Sequence, residues 1–390
     1  MTPTILAFNA GSSSIKFAAY EVDAQTTLTL ICRGVLDRRS GDTEFVIKDP
    51  AGKIIEENKA TAAGLDSDLT KSLIGRVEPL LGSRRLVAVG HRIVHSGPNF
   101  AAPVQVNSNI LQQLDALTPL APLHQPGCLA PIRSFLAIRP ELPQVACFDT
   151  AFHRDLAPIY RCFPLPLEFE AKGIRRYGFH GLSFEYIARR LARPQARAVI
   201  AHLGGGCSLC AIRHGNSVNT TMSLTPLDGL MMATRSGAID PGLLLYLLQS
   251  EHMPVSEVED LLYRKSGLLG VSGVSADMRT LLASSDPRAK QAIGQFCARA
   301  AEQIAAMVSS IGGIDVLVFA GGVGENSPDI RRSICARLEW MGLRLDASAN
   351  MQKRDVISAP ESQVEVLIIP TDEEIMIAQH TRDVVLGVTD

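Results

Sequence analysis

Ala198-Val199-Ile200-Ala201-His202-Leu203-Gly204-Gly205-Gly206-Cys207-Ser208-Leu209-Cys210-Ala211-Ile212 is an apolar run broken by three consecutive glycines. It reads as a strand, a tight turn and a returning strand, and the backbone N–H groups of such a turn are able to face an anion. Ile5-Leu6-Ala7-Phe8-Asn9-Ala10-Gly11-Ser12-Ser13-Ser14-Ile15-Lys16-Phe17 has the same layout, with hydroxyls in place of two of the glycines. Two similar hairpins, one in each half, suggest one architectural unit used twice.

A chain of 390 residues has room for two domains or one large one, with ample material for buried cores. Its 46% hydrophobic and 20% charged residues are ordinary for a globular protein, and its net charge of -2 gives no electrostatic footprint for nucleic acid or an anionic membrane. Any anion is therefore held locally. The eight cysteines follow no framework spacing, the first residues lack the basic-then-apolar pattern of a signal peptide, and no uncharged run reaches the roughly 18 apolar residues of a membrane helix. The expectation is a cytoplasmic protein with reduced thiols.

Working outward from the hairpins, Thr27-Leu28-Thr29-Leu30 and Phe45-Val46-Ile47 are short strand candidates that extend an antiparallel sheet. Leu86–Gly90 reads as a buried strand that delivers His91-Arg92-Ile93-Val94-His95 at its end, where polar groups meet a sheet crevice. Helical spacing runs from Asn107 to Leu117 and from Leu129 to Ile138, with Pro119, Pro122 and Pro126 ordering a loop around Leu123-His124. Gln144–Phe148 is a strand ending in Asp149-Thr150, and the halves change over around Phe152 to Pro166. A helix from about Phe184 to Leu191 precedes the triple-glycine hairpin, and a long helix from about Arg288 to Ser310 leads to the strand Asp315–Phe319 and a Gly loop, Ala320–Asn326. Ser327-Pro328 reads as an N-cap with proline at the first helical position, so strand, loop and helix form a candidate phosphate site. Val364–Pro370 is the last strand; Thr371 and Glu374 fit a capping box that leaves Glu373 free.

On residue type alone, Arg92 and Arg235 suit carboxylate or phosphate, but a surface or interdomain salt bridge is the favoured reading. Asp149 suits a charged site or the cap of a turn, and Glu373 suits a metal or simple complementarity to a helix N-terminus. Cys207-Ser208-Leu209-Cys210 is a C-x-x-C pair, but in a hairpin and without a second pair, which disfavours metal or redox use. His91 and His95 lack the glutamate of a zinc-protease motif, and support of Arg92 is the preferred reading.

Taken together, Asn9-Ala10-Gly11-Ser12-Ser13-Ser14, His91-Arg92-Ile93-Val94-His95, Phe148-Asp149-Thr150-Ala151-Phe152-His153, Arg176-Tyr177-Gly178-Phe179-His180-Gly181, Thr234-Arg235-Ser236-Gly237 with Asp240-Pro241-Gly242, Gly321-Gly322-Val323-Gly324-Glu325-Asn326 and Thr371-Asp372-Glu373-Glu374 resemble the acetate kinase family, within the larger group of sugar kinases, heat-shock 70 proteins and actin. The motifs run in family order across nearly the whole chain. The resemblance implies an α/β, two-domain actin-like ATPase fold with a duplicated core and an interdomain cleft. The first domain would be residues 1–150 plus a final helix at about 371–390, and the second, nucleotide-binding, residues 151–370. It also implies ATP-dependent phosphorylation of acetate to acetyl phosphate, with Mg²⁺ or Mn²⁺, in a homodimer, with no nucleic acid or membrane partner.

By the same resemblance Arg92, Asp149, His180 and Arg235 are the catalytic set, and Arg92, Val94, Leu123, Phe179 and Pro226 form the acyl pocket, with His124 nearby. Ser13, Lys16, His202, Gly204, Gly205, Gly206, Asp277, Arg279, Gly322, Gly324, Glu325 and Asn326 would meet the nucleotide, and Asn9 and Glu373 the metal. For Asp277 and Arg279 a solvated turn is the other reading, and for the apolar pocket residues plain core. The chain departs from the family pattern at Gly205 (asparagine in the family), Gln125 (asparagine), Leu182 and Phe184 in the segment after His180, and Ala238 (an acidic residue). Propionate or another short acid as substrate, a different phosphoryl donor, and a nucleotide-binding module without kinase chemistry are the alternatives.

Overall fold

The computed structural model describes residues 2–11, 14–37, 42–61 and 69–387, and the chain divides into two compact units, Met1–Ala151 with Asp372–Asp390, and Phe152–Thr371. The first is built on an eight-stranded sheet of β1 (Pro3–Ala10), β2 (Ser14–Val22), β3 (Leu28–Asp37), β4 (Asp42–Lys48), β5 (Ile54–Thr61), β6 (Arg85–Ile93), β7 (Val104–Gln105) and β8 (Gln144–Phe148). Their order is β5-β4-β3-β2-β1-β6-β8-β7. The hairpin β1–β2 is antiparallel, whereas β1, β6 and β8 run parallel. Residues 4 to 10 of β1 are all buried, as expected of a strand covered on both faces.

Alternation along the strands sorts the residues of this unit. Leu6, Phe8 and Val89 face a core with Leu73, Ile74 and Val77 of the helix Leu69–Leu80 and Phe135 of the helix Gln125–Ile138. The latter helix starts earlier than its apolar spacing indicates, with Pro126 in its first turn, where a missing N–H costs nothing. The opposite face takes the final helix, Glu373–Leu386. Gly90 makes that approach possible: a Cβ there would lie 2.1 Å from Thr381 Oγ1 and 2.6 Å from Ile377 Cγ2.

The second unit carries β9 (Ala198–Leu203), β10 (Cys207–Arg213), β11 (Asn216–Thr220), β12 (Val316–Ala320) and β13 (Glu365–Ile368) in the order β11-β10-β9-β12-β13. The triple-glycine stretch is the antiparallel hairpin β9–β10, and β9, β12 and β13 are parallel. Ile200, Cys210, Ile212 and Val318 pack on one face with Phe184 and Ile187 of the helix Gly181–Leu191. The long helix Pro287–Ile311, capped by Asp286 and ended by Gly312 in the left-handed region, packs against β9, β10 and β11. Three local expectations are corrected. The Gly loop after β12 is a short helix, Gly321–Asn326. Ser327 stands at the N-cap of Pro328–Ala336, but its hydroxyl makes no capping bond. Asp372, not Thr371, caps the final helix by accepting from Ile375 N.

Candidate active site

In the first unit the polar groups gather where β1, β6 and β8 end. Arg92, next to last in β6, shares its face with Gly90 and so lies on the side of the final helix. Its guanidinium donates to both carboxylate oxygens of Asp149, from Nη2 to Oδ2 at 2.6 Å and from Nε to Oδ1 at 3.0 Å. Asp149 is 1% exposed. Burial alone would lower the pKa of Arg92, but Asp149 and then Glu373 outweigh it, so Arg92 stays cationic.

Asn9 sits on the same face of β1, and its Nδ2 donates to Glu373 Oε2 at 2.7 Å and to Glu374 Oε1 at 2.9 Å. Lys16 pairs with Asn9 in register on β2 and is exposed; its charge acts on Glu374, whose carboxyl is nonetheless held above its usual range by burial and by Glu373. Glu374 thus joins this cluster, a placement that the capping-box reading hid. The Asp-Glu-Glu run was the available signal, since an aspartate cap releases both glutamates. Val94 is buried, Leu123 and His124 are half-buried, and Ser13 lies outside the described residues.

His91 does not support Arg92. It points to the other face of β6, packs against Phe8 and Phe135 with ring centroids 5.9 and 5.7 Å away, and meets Gln144 Oε1 through Nε2 at 2.8 Å. Burial pushes its pKa down to about 3, against the effect of that hydrogen bond. Cys128, near Arg92, is pushed up to about 11 by burial.

In the second unit His180 occupies the N-cap of Gly181–Leu191 in the left-handed region, with φ 57°, a conformation uncommon for a residue with a side chain. Its ring stacks on His202 with centroids 4.5 Å apart and planes at 24°, and Nδ1 lies 2.8 Å from Ser208 Oγ. A Cβ on Gly206 would lie 3.5 Å from His180 Nε2 and 4.0 Å from Arg235 Nη1, so the glycine turn, the histidine and the arginine adjoin. Arg235 Nη1 donates to Pro226 O at 3.1 Å, and Ala233 N donates to Gly205 O at 3.2 Å, tying the arginine segment to the turn.

Phe179 is buried, and its carbonyl accepts from His153 Nε2 at 3.1 Å while Ser217 Oγ meets Nδ1 at 2.7 Å. Burial holds the His153 pKa down at about 4. Because β9 and β12 are parallel, their carboxyl ends are neighbours, and a Cβ on Gly204 would lie 3.9 Å from Gly322 N. Gly324 is buried; Glu325 Oε1 accepts from Gly321 N, and Asn326 Nδ2 donates to Gly322 O. The buried Arg331, which sequence reading passed over, donates to the carbonyls of Gly324 and Glu325. Asp277 caps Met278–Ala283 and pairs with Arg279, which keeps its carboxyl low, at about 2; Arg279 is exposed. Cys207 and Cys210 lie on opposite faces of β10, and burial pushes both thiols up to about 12, which removes a thiolate pair from the possibilities.

The pattern of the acetokinase family matches residues 4–379. An acetate kinase of Rhodopseudomonas palustris is 47% identical over 97% of this chain and 98% of its own length, and one of Rhizobium meliloti is 44% identical over 97% of each. Among solved structures, a propionate kinase from Francisella tularensis superposes with a TM-score of 0.88 at 36% identity, covering 98% of this chain and all of the other. The acetate kinase of Porphyromonas gingivalis gives 0.84 at 33%, with the same coverage. Two sheets of like topology with charged and glycine-rich strand ends thus define a phosphotransferase of the actin-like fold. The chain belongs to the acetokinase family.

Proposed function

We infer that the protein transfers the γ-phosphoryl group of ATP to acetate, reversibly, forming acetyl phosphate. The carrying observation is that a pair of half-buried Arg92 with buried Asp149 and a His180–Gly206–Arg235 cluster each stand at the carboxyl ends of parallel strands in topologically matched sheets. Joining a carboxylate to a triphosphate brings two anions together, and the transferring group spreads charge over its equatorial oxygens. Arg92 supplies a fixed cation for the acyl carboxylate, oriented by Asp149. Arg235 and His180 Nε2 supply donors for the phosphoryl oxygens, and the backbone of Gly204–Gly206 takes the remaining phosphates.

Glu373, with Asn9 beside it, suits a magnesium ion, which takes oxygen ligands and needs only one or two carboxylates when phosphates complete its shell. Bound there, the ion would neutralise charge on the phosphate chain. Val94, Leu123, Phe179 and Pro226 would line the acyl pocket, and Asp277, Arg279, Gly322, Gly324 and Asn326 the nucleoside side. The first unit is read as the carboxylate side and the second, with His202 and the glycine turn, as the nucleotide side, in a cytoplasmic homodimer. The apolar helix Pro241–Gln249 supports the dimer: none of its residues is buried, and Leu243, Leu245 and Tyr246 are exposed.

Acyl phosphate trapped as a hydroxamate, measured across acetate, propionate and butyrate with ATP and pyrophosphate as donors, tests this reading; ATP binding without hydroxamate from any acid would reject it. Propionate is the second reading, supported by the structural match to a propionate kinase. One methylene in an apolar pocket is worth only about 1–3 kcal/mol, so the ratio of kcat/KM values decides between the two acids.

A further inference from the structure

Ser208 lies in the middle of the stretch that opened the sequence, and its buried hydroxyl is not needed for the fold of a hairpin. It pairs in register with His202 across β9 and β10, so both side chains stand on the face that carries the helix Gly181–Leu191. His180, at the N-cap of that helix, is held between them, stacked on His202 and 2.8 Å from Ser208 Oγ through Nδ1. Phe184, one turn further along, meets His202 edge-on at 6.3 Å and closes the third side.

A serine hydroxyl has one hydrogen to place, and among the described residues the side-chain partner of Ser208 is His180 Nδ1. Donation to Nδ1 uses that hydrogen. The reverse arrangement, with Nδ1–H donating to Oγ, would leave the hydroxyl hydrogen buried without an acceptor, which is the costly way to bury a polar group. A neutral imidazole that accepts at Nδ1 carries its proton on Nε2, and Nε2 is the nitrogen that faces Gly206.

We propose that Ser208 is a positioning residue that donates its hydroxyl hydrogen to Nδ1 of His180 and holds the ring as the Nε2–H tautomer, a hydrogen-bond donor aimed at the anion bound at the triple-glycine turn. His202 fixes the plane of the ring, and Ser208 fixes its proton. The inference rests on the phosphoryl-transfer reading above and deepens it, because it makes His180 a donor to phosphoryl oxygens and not a base.

Nitrogen-detected NMR of protein labelled at histidine, with the His180 ring assigned by difference from His180→Gln, tests the wild-type protein directly. The expected spectrum has a pyridine-type Nδ1 and a pyrrole-type Nε2, and the opposite assignment overturns the proposal. Ser208→Ala is expected to lower kcat roughly ten- to hundredfold with KM for both substrates within about twofold, and to add nothing further in a His180→Ala background. An equal further loss in that background would make Ser208 merely structural and overturn the proposal. If Ser208→Ala does not fold, the wild-type spectrum still decides. Full activity in His180→Ala would remove the role of His180 itself, whereas a pyrrole-type Nδ1 would defeat the proposal with that role intact, so the two failures are told apart.

Discussion

The central strands β3-β2-β1-β6-β8 of the first unit and β11-β10-β9-β12-β13 of the second share one pattern: two antiparallel steps, then two parallel ones. What differs is how each half holds charge. The first uses side chains against side chains, with Arg92 clasped by Asp149 and Asn9 bridging two glutamates. The second uses side chains against backbone and rings, with Arg235 on the Pro226 carbonyl and His180 on His202. One scaffold thus supports a cluster whose charges pair with one another, at Arg92, and a cluster in which His180 and Arg235 meet a ring and a backbone carbonyl.

The arginines test that difference most strongly. Arg92→Ala and Arg235→Ala are each expected to cut hydroxamate formation by about a thousandfold or more, since each removes a cation that the proposed reaction sets against transferring charge. They should part in thermal stability. Arg92→Ala removes the cation bound to the buried carboxylate of Asp149, at a cost of about 3–5 kcal/mol, while Arg235→Ala removes the donor to the Pro226 carbonyl, a neutral bond with a net worth of about 1 kcal/mol. Equal melting temperatures in the two variants would break the comparison.

Acid should act on both halves through buried neutral histidines, His91 in the first and His153 in the second. Both folded pKa values, about 3 and about 4, lie below the ordinary 6.5. The unfolded chain therefore binds protons that the folded one refuses, so their stabilisation is complete above pH 6.5 and is lost as pH falls toward 4 and then 3. Melting temperature measured from pH 7.5 to 4 should decline below 6.5, and His153→Gln should flatten that decline. An unchanged slope would show that His153 is already charged in the fold.

Within the second half, Gly206→Ala puts a methyl against His180 Nε2 and Arg235 Nη1 at ordinary contact distance. The protein should fold as before and lose about ten- to hundredfold in kcat/KM, because the group occupies the space where donors converge. The smallest effect is expected at Gly205→Asn. A Cβ there meets nothing within 4 Å, so the melting point should hold while the KM for the phosphoryl donor shifts severalfold. Donor kinetics identical to wild type would show that this turn position does not touch the phosphates.

The parts legible in the sequence are those set by local period. Both hairpins, the strand Gln144–Phe148 and the long helix Pro287–Ile311 follow from alternation, helical spacing and breakers. Choices between near-equivalent neighbours were not legible. Thr371 and Asp372 both suit a cap, and only the path of the chain into the final helix selects Asp372 and sends Glu374 to Asn9. His91 and Arg92 differ by one position, hence by one face of the sheet, and which face holds the charged site is decided by the packing of Glu373–Leu386. The helix Pro241–Gln249 shows that apolar composition alone does not assign burial, since no residue in it is buried. Arg331 gave no local signal, because the carbonyls it serves are chosen by the turn it stabilises.

The close seating of the final helix over Gly90 also orders events during synthesis. The strands it covers, β1, β6 and β8, emerge from the ribosome early, but residues 372–387 follow only after the whole of 152–371 has been made. Until then one face of the first sheet has no cover and Arg92 and Asn9 have no Glu373 beside them. A nascent chain stalled or cut short before residue 372 would carry a complete second unit and a first unit open to aggregation and to chaperones. A chain cut before residue 372 therefore lacks the cover of one face of the first sheet even when every strand of that sheet is present.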